Sequence, residues 1–558
     1  MKKENKILLA IFLFSVALRI VLAIFIKSPT IFSDEYVYAK MSQSFFEEQS
    51  FLLNDSPVAK YPPLYPIFIS LSYLFGNMTL IYFIFKLINS LIISSAIFPL
   101  FFISRYFLNY KKALFISFFS MMVAPYLIFS NFVMAENLYF PLAIWAVFFI
   151  FASFLNNKWH SFLVAGIFSG LAILTKLFGF ALVPIVGILW LKYRKEIKFK
   201  NVLIYYFTIA LFVVPWMLRN FLSFGRNVNS LTGGYRSPWM LFDSLTTKIV
   251  PFLNWNVIYW SYLLVGCGVL FFIYLFLFKK AKDKSLEKAS LITILFTFFT
   301  IIIAANLSTN YKYYLGHLIS QSLLPGRIVG RYVEVVLPLI IIIGYIIFDK
   351  IKNYKFSKLY LISIATLFLF STQLMSNALF PLNNGAFSLF GLLQKAVGFL
   401  NFSSSPTILL LILSSIMFLF LIFYLFFIVK KKTLVKFALF FILLNSLSGF
   451  AMVAWNGNLW YNSDQIAVSD YVNKYVSHDS TVFIDKNYCQ KVINKNELND
   501  NLCDSGNYAS LMGFFITNKI KVGEVVDINN GDVFVSKSNV KELNKLFVTE
   551  NGIVIYMG

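Results

Sequence analysis

Charged side chains are scarce in this sequence. Asp, Glu, Lys and Arg make up 13% of its 558 residues, whereas an ordinary soluble domain carries about 25%. In their place, 59% of the residues are hydrophobic. Such a composition excludes an ordinary soluble protein, because the apolar residues need lipid as their solvent. The sequence therefore predicts an integral membrane protein.

Cysteine is also rare, with three residues in the whole chain. Cys267, Cys489 and Cys503 are too few for a disulfide scaffold and lack the close pairing of a zinc or redox motif. Metal binding through thiolates is therefore not expected. Cys489 and Cys503 both fall in the polar C-terminal region, where we expect a disulfide if the compartment is oxidising. Two free thiols are the alternative.

Long apolar runs fill most of the chain. A hydrocarbon layer about 30 Å thick needs roughly twenty apolar residues per helix, and this rule predicts a polytopic α-helical membrane protein with about 13 transmembrane helices. We place these helices at 7–26, 79–103, 113–129, 134–155, 161–175, 178–191, 201–218, 257–278, 289–306, 332–348, 359–376, 406–429 and 437–455. No small-residue cleavage site follows the first run, so we interpret it as a retained helix.

Basic residues concentrate in the short loops on one side of the predicted bundle. Seven such segments, from MKKENK to KKKTLVK, hold 25 of the 48 Lys and Arg residues. The positive-inside rule makes this side cytoplasmic. It predicts a multi-pass protein of the cell membrane with a cytoplasmic N-terminus and an extracytoplasmic C-terminus. The net charge of +23 then needs no nucleic-acid partner.

The opposite side carries the long segments, at 27–78, 219–256, 307–331 and 377–405. Loops on a rigid scaffold carry function, so we expect chemistry on this outer face. After residue 455 the sequence becomes polar and shows a helical pattern followed by short alternating strands, TVFID, DVFVS and GIVIY. We predict a transmembrane domain at 1–455 and a small extracytoplasmic α/β domain at 456–558.

Three acids of the outer side are candidates for catalysis. Asp34 and Glu35 follow the first span, ahead of a stretch that suits a helix lying in the membrane interface. They either complement the positive N-terminal end of that helix or provide a base for an acceptor hydroxyl. Glu136 lies at the outer end of the fourth span, with no basic residue nearby in sequence. A lone glutamate of this kind is usually solvated.

Cations also occur at the outer ends of predicted spans. Lys176 interrupts an apolar hairpin, where it must snorkel, pair with an acid or hold an anion. Arg327 and Arg331 precede the tenth span in LPGRIVGRYVEVV. They either form an ion pair with Glu334 or bind a phosphate through their planar donor groups.

Two further features of the outer loops have a structural and a functional interpretation. The turn KYPPLYP begins with Lys60 and Tyr61 and is stiffened by its prolines. It is either a helix-starting loop or a part of a substrate site. His317, in YYLGH, is a candidate metal ligand, although a lone histidine more often makes ordinary hydrogen bonds.

In their order and placement, these residues resemble the GT-C superfamily of membrane glycosyltransferases, particularly the branch related to protein O-mannosyltransferases and the lipid A aminoarabinose transferase. The resemblance rests on the Asp34-Glu35 pair, the PPLYP turn at 62–66, Glu136, the LTK stretch that ends at Lys176, and GRYVEVVLP at 330–338. It extends over most of the chain. Thirteen spans followed by an external α/β domain also resemble that family.

The resemblance implies an inverting glycosyltransferase that moves a sugar from a polyprenyl-phosphate-linked donor to a lipid, glycan or protein acceptor on the outer face. Carried over by position, Asp34 would be the general base and Glu35 its orienting neighbour or a metal-facing group. Glu136 would be the second acidic residue of the cavity. Members of the family differ in whether they need a divalent metal ion, for which Glu35, Glu136 and His317 would be the ligands.

The same resemblance implies which residues bind the substrate. Lys176 and Arg331 would neutralise the lipid phosphate as it leaves, with Arg327 nearby in sequence. Lys60 and Tyr61 would contribute from the proline-rich turn. Members of this branch often have a lysine directly before the two prolines, whereas here Tyr61 stands between Lys60 and the prolines.

A transporter or flippase of a lipid-linked or anionic substrate is the alternative function. Such a protein usually places ionisable residues near the middle of the bilayer, in discontinuous helices. Lys86 is the main charged residue well inside a predicted span, and the acids lie at the outer ends of spans. This distribution favours the enzyme.

Overall fold

The computed structural model describes residues 3–30, 33–54, 56–224, 231, 249–310, 328–351, 356–376, 379–399, 406–427, 431–485, 508–550 and 552–558. Its helices α1 to α11 are Lys3–Ile24, Ser33–Glu48, Leu64–Ser70, Met78–Ser94, Ile97–Phe107, Tyr110–Ser120, Ala124–Ile128, Glu136–Asn156, Trp159–Thr175, Val183–Tyr193 and Phe199–Ser223. Helices α12 to α22 are Ile249–Gly266, Leu270–Leu275, Lys284–Asn310, Leu337–Lys350, Lys358–Phe370, Pro381–Asn384, Ser388–Phe399, Pro406–Phe427, Lys431–Tyr461, Asp464–Tyr475 and Tyr508–Phe515. Strands β1 to β7 are Leu52–Leu53, Ser56–Pro57, Val482–Asp485, Ile520–Gly523, Val533–Ser536, Asn544–Val548 and Val554–Met557.

Many of these helices are long and apolar enough to cross a membrane. Within the described residues, eight candidate spans are Asn5–Ile24, Met78–Phe107, Glu136–Asn156, Phe199–Ser223, Ile249–Gly266, Lys284–Thr309, Lys358–Met375 and Thr433–Tyr461. A bent pair, Tyr110–Ser120 and Ala124–Asn131, forms a ninth if it crosses as one span. Shorter apolar helices are Leu64–Phe75, Trp159–Thr175, Leu177–Tyr193 and Ile408–Tyr424. The predicted polytopic helical membrane fold is confirmed.

Several predicted spans are wrong in their bounds, among them 257–278 and 332–348. The run 257–278 is divided between α12 and α13, because the backbone takes positive φ values of 76° at Gly268 and 62° at Val269. An α-helix cannot continue through such residues. The run 332–348 begins with two 3₁₀ turns, and its α-helix, α15, begins only at Leu337 with Pro338 in its first turn. Proline suits a first turn because it has no N–H to lose there.

The chain divides into two compact units. The first unit consists of 1–17, 92–129 and 136–452, and the second unit consists of 18–91, 130–135 and 453–558. In the first unit α9 packs closely on α11, since a Cβ atom at Gly166 would lie 2.7 Å from Cβ of Thr208. Small residues allow such close approach between apolar helices. The predicted division at 455 stays a prediction.

The second unit ends in a small α/β structure that matches the predicted C-terminal fold. Its five-stranded sheet has the order β4-β3-β5-β7-β6, with β3 parallel to β4 and β5 and with β7 antiparallel to its neighbours. Its core is built from alternating apolar residues such as Val482 and Ile484 of β3, which pack with Val468 and Val472 of α21. We call residues 464–558 the C-terminal lobe.

Candidate active site

The first candidate cluster lies in the second unit, at the start of α2. Both Asp34 and Glu35 occupy the first turn of this helix, where unpaired N–H groups and the helix dipole favour negative charge. The half-buried Asp34 accepts a hydrogen bond from the Tyr61 hydroxyl, with 2.6 Å between Oη and Oδ1. The Tyr61 ring packs edge-on against Tyr38, one turn further along α2, at 5.1 Å between centroids. The proline-rich turn therefore orients Asp34.

Glu35 is completely buried, in contrast to Asp34. Its Oε1 accepts from the Thr30 N–H at 3.0 Å and from the Thr30 hydroxyl at 2.6 Å, and its Oε2 accepts from the Val133 N–H at 2.9 Å. Burial raises the pKa of Glu35 to about 7, although these hydrogen bonds oppose the shift. With both oxygens occupied, Glu35 ties the start of α2 to two other segments of the second unit.

Lys60 and Tyr61 have different surroundings, although they are neighbours in sequence. Lys60 is exposed, and its Nζ lies 5.7 Å from the centroid of the Tyr61 ring. The next tyrosine of the turn, Tyr65, is buried and donates to Asn89 Oδ1 at 3.0 Å. Of the two predicted substrate-binding residues in this turn, Tyr61 contacts a candidate catalytic acid directly.

The second candidate cluster lies in the first unit and brings together Glu136, Lys176 and Arg331. Glu136 begins α8, whereas Lys176 follows the end of α9 in an extended conformation. The chain then turns back in a 3₁₀ helix, and a Cβ atom at Gly179 would lie 2.6 Å from the backbone nitrogen of Ile173. Glycine therefore permits the tight turn that presents the lysine.

These three residues form a buried ion-pair network. Glu136, Arg331 and Lys176 are 1%, 5% and 8% exposed. Lys176 Nζ donates to Glu136 Oε1, and Arg331 Nε lies 3.6 Å from the same oxygen. Lys176 Nζ also lies 5.2 Å from the ring centroid of Tyr332. Of the three alternatives for Lys176, the structure shows pairing with an acid, and the predicted lone glutamate is its partner.

Glu334, the alternative partner of the arginines, has its own hydrogen-bond donors in this unit. Its Oε1 accepts from the Tyr262 hydroxyl at 2.5 Å and from the Ala386 N–H at 2.8 Å. The backbone at Gly330 packs closely against Tyr262, as a Cβ atom at Gly330 would overlap the tyrosine ring. Arg331 forms an ion pair with Glu136.

The remaining predicted site residues fall outside the described part of the chain. They are Arg327, His317, Cys489 and Cys503. Their roles in phosphate binding, metal binding and a disulfide stay predictions.

A metal site finds no support in the described residues. Among them, no three His, Cys, Asp or Glu side chains lie close enough together to hold a metal ion. Both oxygens of Glu35 accept hydrogen bonds, and Glu136 is paired with two cations. Metal binding by Glu35 and Glu136 stays a prediction, and we assign no chemical step to a metal ion.

Several partners of the predicted residues escape sequence analysis. Thr30 and Val133, which bind Glu35, act mainly through backbone N–H groups that every residue except proline carries. Tyr262 is one of 31 tyrosines, and nothing in its local sequence marks it. Tyr332 is different, since it directly follows Arg331 in the motif that supports the resemblance.

Solved structures with a similar fold exist. ArnT from Cupriavidus metallidurans bound to undecaprenyl phosphate matches with a TM-score of 0.55 and 13% sequence identity, over 99% of this chain and 97% of that chain. The apo state of ArnT matches with a TM-score of 0.54 and 14% identity, over 99% and 98%. A weaker match is arabinosyltransferase EmbB from Mycobacterium smegmatis, with a TM-score of 0.44 and 11% identity over 81% of this chain and 41% of that chain.

Sequence comparison finds no such relatives. No family model matches the chain, and no curated protein matches it. The structural match shows that the chain has the same fold as ArnT, which confirms the resemblance at the level of fold. At 13% and 14% identity the match establishes the fold alone.

Proposed function

We propose that this protein is a membrane glycosyltransferase that moves a sugar from a polyprenyl-phosphate-linked donor to an acceptor, with inversion at the anomeric carbon. The observation that carries the proposal is the buried pair of cations, Lys176 and Arg331, around one carboxylate in a GT-C fold. A structural neighbour with this fold, ArnT, was solved with undecaprenyl phosphate bound.

The cation cluster suits a leaving phosphate. Lys176 and Arg331 together with Glu136 carry one net positive charge, since two cations meet one acid. Their burial strengthens attraction to an anion, because the surrounding dielectric is low. We assign these cations to the donor phosphate, whose negative charge grows as the bond to the sugar breaks.

Asp34 suits the base. In the proposed reaction the acceptor hydroxyl attacks the anomeric carbon, its proton passes to the Asp34 carboxylate, and the bond between that carbon and the phosphate oxygen breaks. The polyprenyl phosphate then leaves with the bonding electrons. The hydrogen bond from the Tyr61 hydroxyl fixes the orientation of the Asp34 carboxylate. The Asp34 side chain is also more exposed than that of Glu35.

We further propose that the reaction occurs on the outer face of the cell membrane. The positive-inside rule supports a cytoplasmic N-terminus and an extracytoplasmic C-terminus. Protease accessibility in sealed, oriented vesicles tests this orientation. Cleavage within 464–558 only from the extracytoplasmic side is the expected result, and cleavage only from the cytoplasmic side would contradict it.

The buried charged residues Lys86 and Arg19 bear on the transporter alternative, in which ionisable residues inside spans would carry the function. Lys86 donates to the carbonyl oxygens of Ala23 and Ile26 at 2.9 and 2.7 Å, at the end of α1. A cation there complements the negative end of the helix, which is a structural role. Arg19 is also buried within α1. Neither residue lies in either candidate cluster.

The proposal is tested with purified protein in proteoliposomes that contain defined polyprenyl-phosphate sugars. Release of polyprenyl phosphate that depends on an added acceptor is the expected result. Lipid, glycan and protein acceptors are tried in parallel arms, and mass spectrometry identifies the glycosylated product. Movement of the intact donor across the bilayer without cleavage would instead favour the flippase.

A further inference from the structure

Helix α2, which carries Asp34, also contacts the C-terminal lobe within the second unit. Lys40 Nζ donates to the backbone oxygen of Ile516 at 2.5 Å. Gln43, one turn further along α2, donates through Nε2 to the oxygen of Thr517 at 2.8 Å. Residues three apart lie on the same face of a helix. One face of α2 is therefore bonded to the chain that follows α22.

Because Lys40 is buried, its amine depends on the hydrogen bonds that it makes at this contact. The side chain is 7% exposed, and loss of hydration lowers the pKa of Lys40 to about 7, although Glu47 opposes the shift. A lysine in such a place is costly unless its donors are satisfied. Besides Ile516, Lys40 donates to Gln43 Oε1 at 2.9 Å. Displacing the lobe from α2 would leave the backbone oxygens of Ile516 and Thr517 without these donors and would leave Lys40 bonded to Gln43 but not to the lobe.

Close packing supports the same contact independently. An ideal Cβ atom at Gly513 of α22 would lie 2.9 Å from the ring of Tyr36 and 3.1 Å from Ile520. Tyr36 is buried on α2 and donates to Asn54 Oδ1 at 2.8 Å, so its ring has little freedom to move. Only a glycine fits between α22 and this ring without displacement.

The other side of the same segment is bonded to the body of the C-terminal lobe. Asn473 of α21 donates to the oxygen of Phe515 at 2.7 Å and accepts from the Thr517 N–H at 3.1 Å. Ser469, one turn earlier, donates to the oxygen of Met512 at 2.7 Å. The segment 512–517 is thus held between α21 and α2.

We propose that Lys40, Gln43 and Gly513 are positioning residues through which the C-terminal lobe fixes the orientation of Asp34. Lys40 lies six residues beyond Asp34, about 9 Å along one continuous helix, so a tilt at Lys40 moves the first turn. The catalytic consequence rests on the proposed function of Asp34. The mechanical coupling between the lobe and α2 does not.

The test uses two variants on opposite sides of the contact and one matched control. Lys40→Met removes the donor and keeps the length of the side chain. Gly513→Ala adds one methyl group 2.9 Å from Tyr36, on the C-terminal lobe. Lys474→Met makes the same chemical change at an exposed lysine of α21. Lys40→Arg restores a cationic donor.

Hydrogen exchange and kinetics are measured on the full-length protein in lipid. We expect faster exchange in the peptide spanning 33–48 for Lys40→Met and Gly513→Ala, with β3, β5 and β7 unchanged. We also expect a fall in kcat of about tenfold or more, because small errors in the position of a base are costly, with donor KM within about twofold. Lys474→Met should resemble the wild type, and Lys40→Arg should recover part of kcat.

Wild-type exchange of 33–48 in both variants would overturn the coupling. An exchange increase of equal size in β3, β5 and β7 would also overturn it, because general loss of stability would then explain the data. Increased exchange with wild-type kcat would remove the catalytic consequence. If the wild type itself transfers no sugar, the proposed function fails, while the exchange data still decide whether the lobe holds α2.

Discussion

The acids of the second unit and the cations of the first unit are held by different kinds of partner. Asp34 and Glu35 accept hydrogen bonds from neutral groups, namely a tyrosine hydroxyl, a threonine hydroxyl and backbone N–H groups. Glu136 instead meets the full positive charges of Lys176 and Arg331. Ion pairs with two cations compensate the charge of Glu136, whereas burial disfavours the negative charge of Glu35 despite its hydrogen bonds.

This difference separates the roles of three carboxylates that look alike in the sequence. An acid paired with two cations is a poor base, because protonation would break its ion pairs. An acid with every oxygen bonded and no exposure, such as Glu35, cannot reach a substrate. Asp34 is partly exposed and accepts a hydrogen bond from the Tyr61 hydroxyl. We therefore propose that Asp34 is the base, that Glu35 positions the start of α2 and that Glu136 balances the charge of the two cations.

The largest expected effect is at Asp34. Asp34→Asn keeps the shape of the side chain and removes the base, so we expect kcat to fall by about a hundredfold or more. Thermal unfolding should stay nearly unchanged. Asp479→Asn, at an exposed position of the C-terminal lobe, is the control. Near-normal turnover of Asp34→Asn would show that another group is the base.

The variants of the other two acids test whether the three carboxylates have different roles. Glu35→Gln and Glu136→Gln should each reduce activity less than Asp34→Asn, since neither acid is assigned to proton transfer. Equal and total losses in all three variants would instead indicate a shared metal site.

The cation cluster should show the next largest effect. A charge-assisted bond contributes about 1.5 to 3 kcal/mol, so Arg331→Ala and Lys176→Ala should each lower kcat/KM for the donor by about tenfold or more. The exposed residues Arg194 and Lys158 provide matched alanine controls. Donor kinetics are measured at saturating acceptor. Unaltered donor kinetics in Arg331→Ala would remove that residue from phosphate binding.

Tyr61 should have a smaller effect. Tyr61→Phe removes the hydroxyl that donates to Asp34 and keeps the ring that packs on Tyr38. This bond is charge-assisted because its acceptor is the Asp34 carboxylate, but it orients the base and takes no part in the proton transfer, so we expect a loss in kcat of roughly twofold to tenfold. An unchanged kcat would mean that Asp34 is oriented by other groups. A loss as large as that of Asp34→Asn would make Tyr61 a participant in proton transfer.

At Glu35 the expected effect is on stability and not on turnover. Its pKa is about 7 in the folded protein, against an ordinary value of 4.5 that applies when the chain unfolds. Between these values the folded state binds a proton that the unfolded state lacks, so the free energy of unfolding decreases as pH rises from about 4.5 to 7. The decrease should be roughly 1 to 3 kcal/mol.

Thermal unfolding of the wild type and of Glu35→Gln across this pH range checks the prediction. The variant cannot titrate at this position and should lack that part of the pH dependence. If the unfolding temperatures of the two proteins changed with pH in parallel, Glu35 would have an ordinary pKa despite its burial.

The hydrophobic pattern of the sequence predicts much of this fold, but it does not predict the breaks within spans. The strands TVFID, DVFVS and GIVIY correspond to β3, β5 and β7, because alternating apolar residues are a local signal. Strands β4 and β6 were missed, since β4 includes Lys521 and the exposed Val522 and β6 has mostly exposed residues. The break near Gly268 was also missed, because the residues on both of its sides are equally apolar.

The candidate residues were easier to predict than their partners. Glu136 and Lys176 stand out because charges near apolar runs are rare, yet their pairing joins residues forty positions apart. The Val133 N–H that binds Glu35 has no chemical signature in the sequence at all. Long-range contacts of this kind depend on the packing of several helices, which local patterns do not encode.

A labelled polyprenyl-phosphate sugar, followed in proteoliposomes that contain either the wild type or Asp34→Asn, tests most directly whether Asp34 is the base. We predict that the wild type releases polyprenyl phosphate and places the label on the acceptor with inverted anomeric configuration. Asp34→Asn, folded and able to bind the donor, should produce neither. Equal transfer by both proteins, or release of the label without an acceptor product, would contradict the assignment of Asp34 as the base of a glycosyl transfer.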